Sequence, residues 1–272
     1  MASSGGCPEA GQGNVDSDAL ASLLETDRVW TAYALADLDP PWAADAEWRT
    51  REGSVVLCYR GFTPPVLFAH GDPQAVGRLL EEIAPGSYQY ALLGIHRALV
   101  RERLRPTREA AMWRMWLPPN GFNEPSNGSV ERLSASDLPA MLELFSADPT
   151  PPDAFDPSQL EGGCFYGVWE GRALVAVAGT HVVSEPRGVA AIGNVLTRKD
   201  RRGSGLAQRT TGAVSAELIR RGLRTIVLNV AMDNAAAIGA YRALGFMPFC
   251  GYYEGIGQIL PRPTSGEERQ DV

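Results

Sequence analysis

The sequence predicts an α/β protein, a mixed sheet covered by helices and arranged as two tandem halves. Three observations carry this reading. Strand and helix patterns alternate over residues 65–117 and again from Val189 onward. Two apolar runs, Cys164–Trp169 and Ala173–Val183, read as a hairpin across Glu170-Gly171-Arg172. Between the two stretches, Pro118 to Gly128 is dense in chain breakers and reads as a linker.

In order along the chain, residues 1–17 are polar and Gly/Ser-rich and are expected to be disordered. Asp18–Asp39 reads as one helix with Leu20, Leu23, Leu24, Trp30 and Tyr33 as apolar positions, stopped by Pro40-Pro41. Trp48–Tyr59 and Pro65–Ala69 read as strands, and Pro73–Ala84 as an amphipathic helix carrying Val76, Leu79, Leu80 and Ile83. Ser87–Leu93, Ile95–Leu104 and Glu109–Leu117 follow as strand, helix and strand. These make a first domain over 18–117, a linker over 118–129 and a second domain over 130–260, with 261–272 a disordered tail.

The second domain opens with a helix over Ser134–Phe145, capped by Ser134 or Ser136 with Asp137 in its first turn. After the hairpin come a strand over Val189–Thr197 and a helix to about Arg221, with Leu206, Thr210, Ala213, Val214 and Leu218 on one face. Arg224–Val230, Ala235–Leu244 and Phe249–Glu254 complete it as strand, helix and strand.

Composition bounds the function. The chain has 272 residues, 44% of them hydrophobic, which is ample for a core. It has no apolar run of 18 residues to cross a membrane and no signal-peptide pattern at its start. A net charge of −7 argues against nucleic acid as a partner. Cys7, Cys58, Cys164 and Cys250 lack metal-ligand spacing, so no metal is expected, and idle thiols suit a reducing cytoplasm. Lys199 is the chain's one lysine; with Arg198, Arg201 and Arg202 it makes a basic cluster placed to attract phosphates.

The segment Arg202-Gly203-Ser204-Gly205-Leu206-Ala207 lies between a strand and a helix. A glycine-rich turn there points backbone N–H groups at an anion from the positive end of a helix dipole. A P-loop would need Lys-Ser/Thr after the last glycine, where Leu206-Ala207 stands. A dinucleotide fingerprint would need Gly or Ala where Gln208 stands, and an acid ending the next strand, which ends at Asn229. A nucleotide-dependent oxidoreductase is therefore a weak reading.

The pattern present is R-x-x-G-x-A at Arg202, Gly205 and Ala207, followed by Asn234, then Tyr241, then Leu244-Gly245-Phe246. In these motifs the chain resembles the GNAT superfamily of acyl-CoA-dependent N-acyltransferases over roughly Val130–Ile259. The resemblance implies a mixed, mostly antiparallel sheet, with acetyl-CoA as co-substrate. It implies that the amides of Gly203, Ser204, Gly205, Leu206, Ala207 and Gln208, beside Arg202, hold the CoA pyrophosphate. Val195 N–H would bond the acyl carbonyl, and the backbone around Leu196 and Thr197 would pair with pantetheine. Tyr241 corresponds to the tyrosine that protonates the leaving thiolate. Asn234 corresponds to a position that contacts CoA or caps a helix.

Many relatives carry a glutamate on the strand before the loop, where this chain reads Ala191-Ile192-Gly193-Asn194. Asn194 and His181 therefore join Tyr241 as candidate catalytic residues, with Tyr252 and Glu254 as weaker candidates for the base. The expected activity is acetyl transfer to an amine by direct attack in a ternary complex; the alternative is a non-catalytic acyl-CoA-binding or interaction module. Small-molecule amines, amino acids, aminoglycosides and protein N-termini all satisfy it as acceptors, with the protein a monomer or homodimer.

The first half repeats the order strand, helix, strand, helix, strand, which suggests a degenerate copy. Its corresponding turn is Gly71-Asp72-Pro73. Pro73 has no N–H and Asp72 repels phosphate, so no CoA site is expected there.

Overall fold

The computed structural model describes residues 16–125, 128–152 and 154–261. The disorder expected of residues 1–15 and 262–272 lies outside these. The first half contains α1 (Ser17–Glu25), α2 (Ala32–Ala36), β1 (Ala46–Arg51), β2 (Ser54–Tyr59), β3 (Val66–His70), α3 (Pro73–Leu80), β4 (Gly86–Leu93), α4 (Arg97–Arg103) and β5 (Leu104–Leu117). The second contains β6 (Glu131–Leu133), α5 (Leu138–Ser146), α6 (Gln159–Gly162), β7 (Phe165–Glu170), β8 (Ala173–Ser184), β9 (Val189–Thr197), α7 (Leu206–Arg220), β10 (Thr225–Ala231), α8 (Ala235–Ala243) and β11 (Met247–Ile259).

Three expectations are corrected. Asp16 and Ser17 are ordered: the Asp16 carboxylate accepts from the amides of Asp18 and Ala19 and starts α1. Residues 18–39 form two helices, not one. Thr31 donates its hydroxyl to the carbonyl of Leu24 at 2.7 Å and of Asp27 at 3.1 Å, a local alternative to the helical ladder. The break lets Trp30 reach the sheet, where its indole donates to the Ala69 carbonyl at 3.2 Å. The run over Trp48–Tyr59 is two paired strands, β1 and β2, turning at Glu52-Gly53, both at positive φ.

The strands form one sheet in the order β1-β2-β3-β4-β11-β5-β10-β9-β8-β7-β6. Two parallel units are embedded in it, β3-α3-β4 and β9-α7-β10; the other pairings are antiparallel. Each unit is followed by a helix and a long strand. Those long strands are exchanged: β11 sits between β4 and β5, and β5 sits between β10 and β11. Each half thus completes the other's sheet. That is why β5 starts at Leu104 rather than Glu109 and β11 spans 247–259 rather than 249–254; each pairs on both edges.

Side chains alternate across the pleat and split the core between two faces. Val56, Cys58, Leu67 and Ala69 pack under α3, while Val55, Leu57 and Phe68 face α1 and α2. The α1–α2 segment also covers Val182, Val189, Ala191 and Val227 of the second half. On the opposite face, Ala190, Ile192, Ile226 and Leu228 pack against α7 and α8 through Val214, Leu218 and Tyr241. No helix of the described residues is long and apolar enough to cross a membrane.

Candidate functional site

The site is a wedge in the sheet. β9 and β10 pair only over Val189–Ile192 with Thr225–Leu228. Beyond that β9 continues to Thr197 along β8, and β10 to Ala231 along β5. A bulge begins the parting: Gly193 to Leu196 of β9 faces the shorter step from Gly179 to Val177 of β8, with Asn194 at φ 53°. Buried oxygens without hydrogen-bond partners gather along the two parting strands: Asn194 Oδ1, Thr197 Oγ1 and Asn229 Oδ1. Such atoms are rare in folded proteins.

The glycine loop stands at the end of β9. Gly203 (φ 80°) and Gly205 (φ 77°) take left-handed conformations that favour glycine, and both face open space. Gly205 caps α7 and brings no side chain to the first-turn amides of Leu206, Ala207 and Gln208. α7 therefore offers donors for an anion. Arg202 braces the loop, donating Nε to the Thr197 carbonyl at 3.1 Å and Nη2 to the buried carboxylate of Asp148. Ser204 Oγ donates to the Arg201 carbonyl.

The basic cluster is not a free cationic patch, which corrects the sequence reading. Arg198 and Arg201 pair with Asp200 and Glu170, so much of their charge is neutralised locally. Lys199 is exposed and lines an open cleft of about 480 Å³ with Leu144, Ala147 and Asp148.

The candidate catalytic side chains occupy both faces of the sheet. Tyr241 projects from α8 into the core beside Phe246, with 6% exposure. Burial pushes its hydroxyl up to about 12, so at neutral pH it is a phenol with a proton to donate. Asn234 Oδ1 accepts from the Ala237 amide at 3.1 Å and caps α8. Asn194 is buried; its Nδ2 donates to Gln159 Oε1 at 2.8 Å, tying β9 to α6. His181 is the extra residue of a bulge in β8, and its Nε2 lies where a Cβ on Gly193 would sit. Tyr252 is fully buried and donates to Glu254 Oε2 at 2.8 Å; burial, first, holds its hydroxyl well above the usual range.

Sequence reading missed Tyr33, Gln159 and Asn229. Tyr33 was indistinguishable from the other apolar positions of its helix. Asn229 was legible only as a missing acid.

The chain matches the model of the Acetyltransferase (GNAT) family over residues 131–246. It is 30% identical over 121 residues to the [ribosomal protein bS18]-alanine N-acetyltransferase of Escherichia coli K12, covering 43% of this chain and 80% of that one. The chain belongs to the GNAT family. Among solved structures, a GNAT-family protein from Novosphingobium aromaticivorans is 25% identical, with a TM-score of 0.53, covering 71% of this chain and 84% of that one. A tandem GNAT protein from the clavulanic acid biosynthesis pathway shares the fold at 15% identity, with a TM-score of 0.56, covering 90% of this chain and 94% of that one. GNAT members are acetyltransferases that use acetyl-CoA as co-substrate.

The first half shows the same strand-helix-strand geometry with its carbonyls and loop amides taken by its own side chains. β3 and β4 pair in parallel over Val66–Phe68 with Gln89–Ala91 and then part. Trp30 takes the Ala69 carbonyl, and buried His96 takes the Gly71 carbonyl through Nε2 at 3.0 Å. At the loop, the Asp72 amide donates to Ser54 Oγ at 2.9 Å, Pro73 has no N–H, and the amides of Gln74 and Ala75 both donate to Asp72 Oδ1 at 3.0 Å. The helix start has no donor left for a phosphate.

Proposed function

We propose that the second half transfers an acetyl group from acetyl-CoA to an amine by direct attack in a ternary complex. The carrying observation is the wedge between β9 and β10, opening beside an uncapped glycine loop. The residues fit the co-substrate: two glycines face open space at the loop, and unpartnered oxygens line the parting strands. The amides of Gly203–Gln208 would hold the pyrophosphate. The stretch Val195–Thr197, which β10 does not pair, would align with the pantetheine arm as an added strand does, with Val195 N–H on the thioester carbonyl. A donor aimed at the oxygen where charge develops is worth about 3 kcal/mol.

The chemistry needs one proton removed and one supplied. His181 takes a proton from the acceptor amine as the N–C bond forms. The C–S bond breaks, and Tyr241 gives its proton to the leaving sulfur. Asn194, held by Gln159, presents a second buried oxygen near the reacting end of β9. The first half, divided from the second within 118–129, binds no co-substrate and frames the acceptor side.

Calorimetric titration with acetyl-CoA tests this reading. One molecule bound per chain, with Gly205→Glu abolishing binding, is the expected result. In an amine-acceptor screen, Tyr241→Phe should reduce turnover about 100-fold with acetyl-CoA affinity nearly kept, matching a general-acid contribution. Two molecules bound per chain, or none, would refute it.

A further inference from the structure

Three acids from different parts of the chain act on one tyrosine. Asp37 ends α2, Asp45 immediately precedes β1, and Asp156 lies in the loop before α6. Tyr59 ends β2 with Ala46 as its register partner, so Asp45 stands next to it. Burial first, then the charges of Asp37, Asp45 and Asp156, push the Tyr59 hydroxyl up to about 12. Other acids of the first half are matched by arginines: Glu47 by Arg60, Glu109 by Arg97 and Arg101, Asp39 by Arg187. Among the described residues, no ion pair reaches the three acids around Tyr59.

Asp37 is the member that calls for a ligand. It is 8% exposed, and among the described residues no hydrogen bond reaches its carboxyl. A buried carboxylate without a partner is costly. Left alone, it is held protonated by burial up to about 8, and a cation beside it is what would let it ionise. Its place ties it to the acetyl site. Tyr33 and Asp37 share a face of α2, about one turn or 5.4 Å apart along the axis. The Tyr33 hydroxyl lies 3.0 Å from His181 Nδ1. On the other side, Gln159 Oε1 accepts from the Asp156 amide at 3.3 Å and from Asn194 Nδ2, in the β9 bulge, at 2.8 Å. The described residues hold no group of acids close enough to share one metal ion, so these charges suit a ligand whose own cations are spaced. The Tyr59 and Phe62 rings, 5.8 Å apart, add aromatic surface of the kind that attracts alkylammonium groups.

We propose that the region between α2 of the first half and the loop before α6 of the second is a subsite for an aliphatic polyamine, with one ammonium group paired to Asp37, others attracted by Asp45 and Asp156, and the reacting amine at the β9 bulge. The subsite names the acceptor class and rests on the acetyl-transfer reading above for the acceptor's role.

Spermidine is the probe and butylamine its single-charge control, each titrated by calorimetry into the full chain at low salt. Asp37→Asn keeps the side chain's shape and should weaken spermidine binding at least about 10-fold, the loss of one charge-assisted pair. Asp45→Asn, at an exposed position, should weaken it about 3-fold. Glu143→Gln, an exposed acid on α5, should change nothing. Butylamine should bind at least about 10-fold more weakly than spermidine. No spermidine binding, equal binding in folded Asp37→Asn and Asp45→Asn, or an equal loss in Glu143→Gln overturns the proposal. Thiol release from acetyl-CoA is read separately. Spermidine binding that depends on Asp37 and Asp45, with no thiol released, keeps the cation subsite and sinks the acetyl-transfer reading. Thiol released equally with spermidine and butylamine keeps that reading and sinks the subsite.

Discussion

The two βα loops of this chain share a topology and have opposite fates. At the second loop, glycines at 203 and 205 turn the chain and leave the α7 amides to whatever anion arrives. At the first, Asp72, Pro73 and Ser54 remove or satisfy the equivalent donors, while Trp30 and His96 take the carbonyls that the parted strand exposes. The lesson is local: the same strand-helix-strand frame becomes a ligand site or a closed joint according to a few residues at one turn. On the proposed reading the halves divide the labour, with the exchanged strands and the α1–α2 cover joining the first half to the second.

The harshest way to break this comparison is to separate the halves. A chain of residues 128–272 lacks β5, leaving β10 and β11 unpaired along facing edges and losing the buried Met115 and Leu117. It is expected to lack cooperative thermal unfolding and dispersed amide signals, and mixing it with residues 1–127 should restore both. A stable second half on its own would mean that the exchange is decoration.

A gentler break swaps the loop chemistry. Gly205→Asp with Leu206→Pro writes the Asp-Pro of the first loop onto the second. The carboxylate should cap α7 from within and repel phosphate, weakening acetyl-CoA binding at least about 100-fold by calorimetry, a loss of about 3 kcal/mol. The reverse change, Asp72→Ala, removes a cap and should cost about 1 kcal/mol of stability. It frees the Gln74 and Ala75 amides but should create no second binding site, because Pro73 has no N–H, Ser54 keeps the amide of residue 72, and Trp30 and His96 still hold the carbonyls of the parted strand. Binding of two acetyl-CoA molecules by Asp72→Ala would show that the first wedge is closed by one side chain alone.

What the sequence makes legible follows from the range of the forces involved. The glycine loop is readable because positive φ admits few residues besides glycine, and β9 is readable because its apolar run ends at a turn. Asp72-Pro73 is readable as a poor anion holder from side-chain chemistry alone. The strand exchange is not readable: β5 and β11 carry no mark of which neighbour they will pair with. The Tyr33–His181 contact joins residues far apart in sequence, and the pairing of Arg198 and Arg201 with Glu170 depends on where the β7–β8 turn ends up. The helix break before α2 turns on one hydroxyl, that of Thr31, finding two carbonyls.

The smallest expected effect probes the cover itself. Asp37 ends α2 with 8% exposure, and burial pushes its carboxyl from the usual carboxylate range up to about 8. The folded state therefore holds a proton that the unfolded chain has already released, and stability falls as pH rises from about 4 to about 8. Below that window both states are protonated, and above it the folded state carries a buried charge. Asp37→Asn keeps the shape and cannot ionise. It should melt a few degrees higher than the unaltered protein at pH 8.5 and nearly equally at pH 4, with acetyl-CoA affinity unchanged. Equal melting at both pH values would show that Asp37 reaches water in the folded state. A selective gain at high pH would show that α2, a helix of the closed half, is held against β8 and β9 tightly enough to exclude water beside the open half's site.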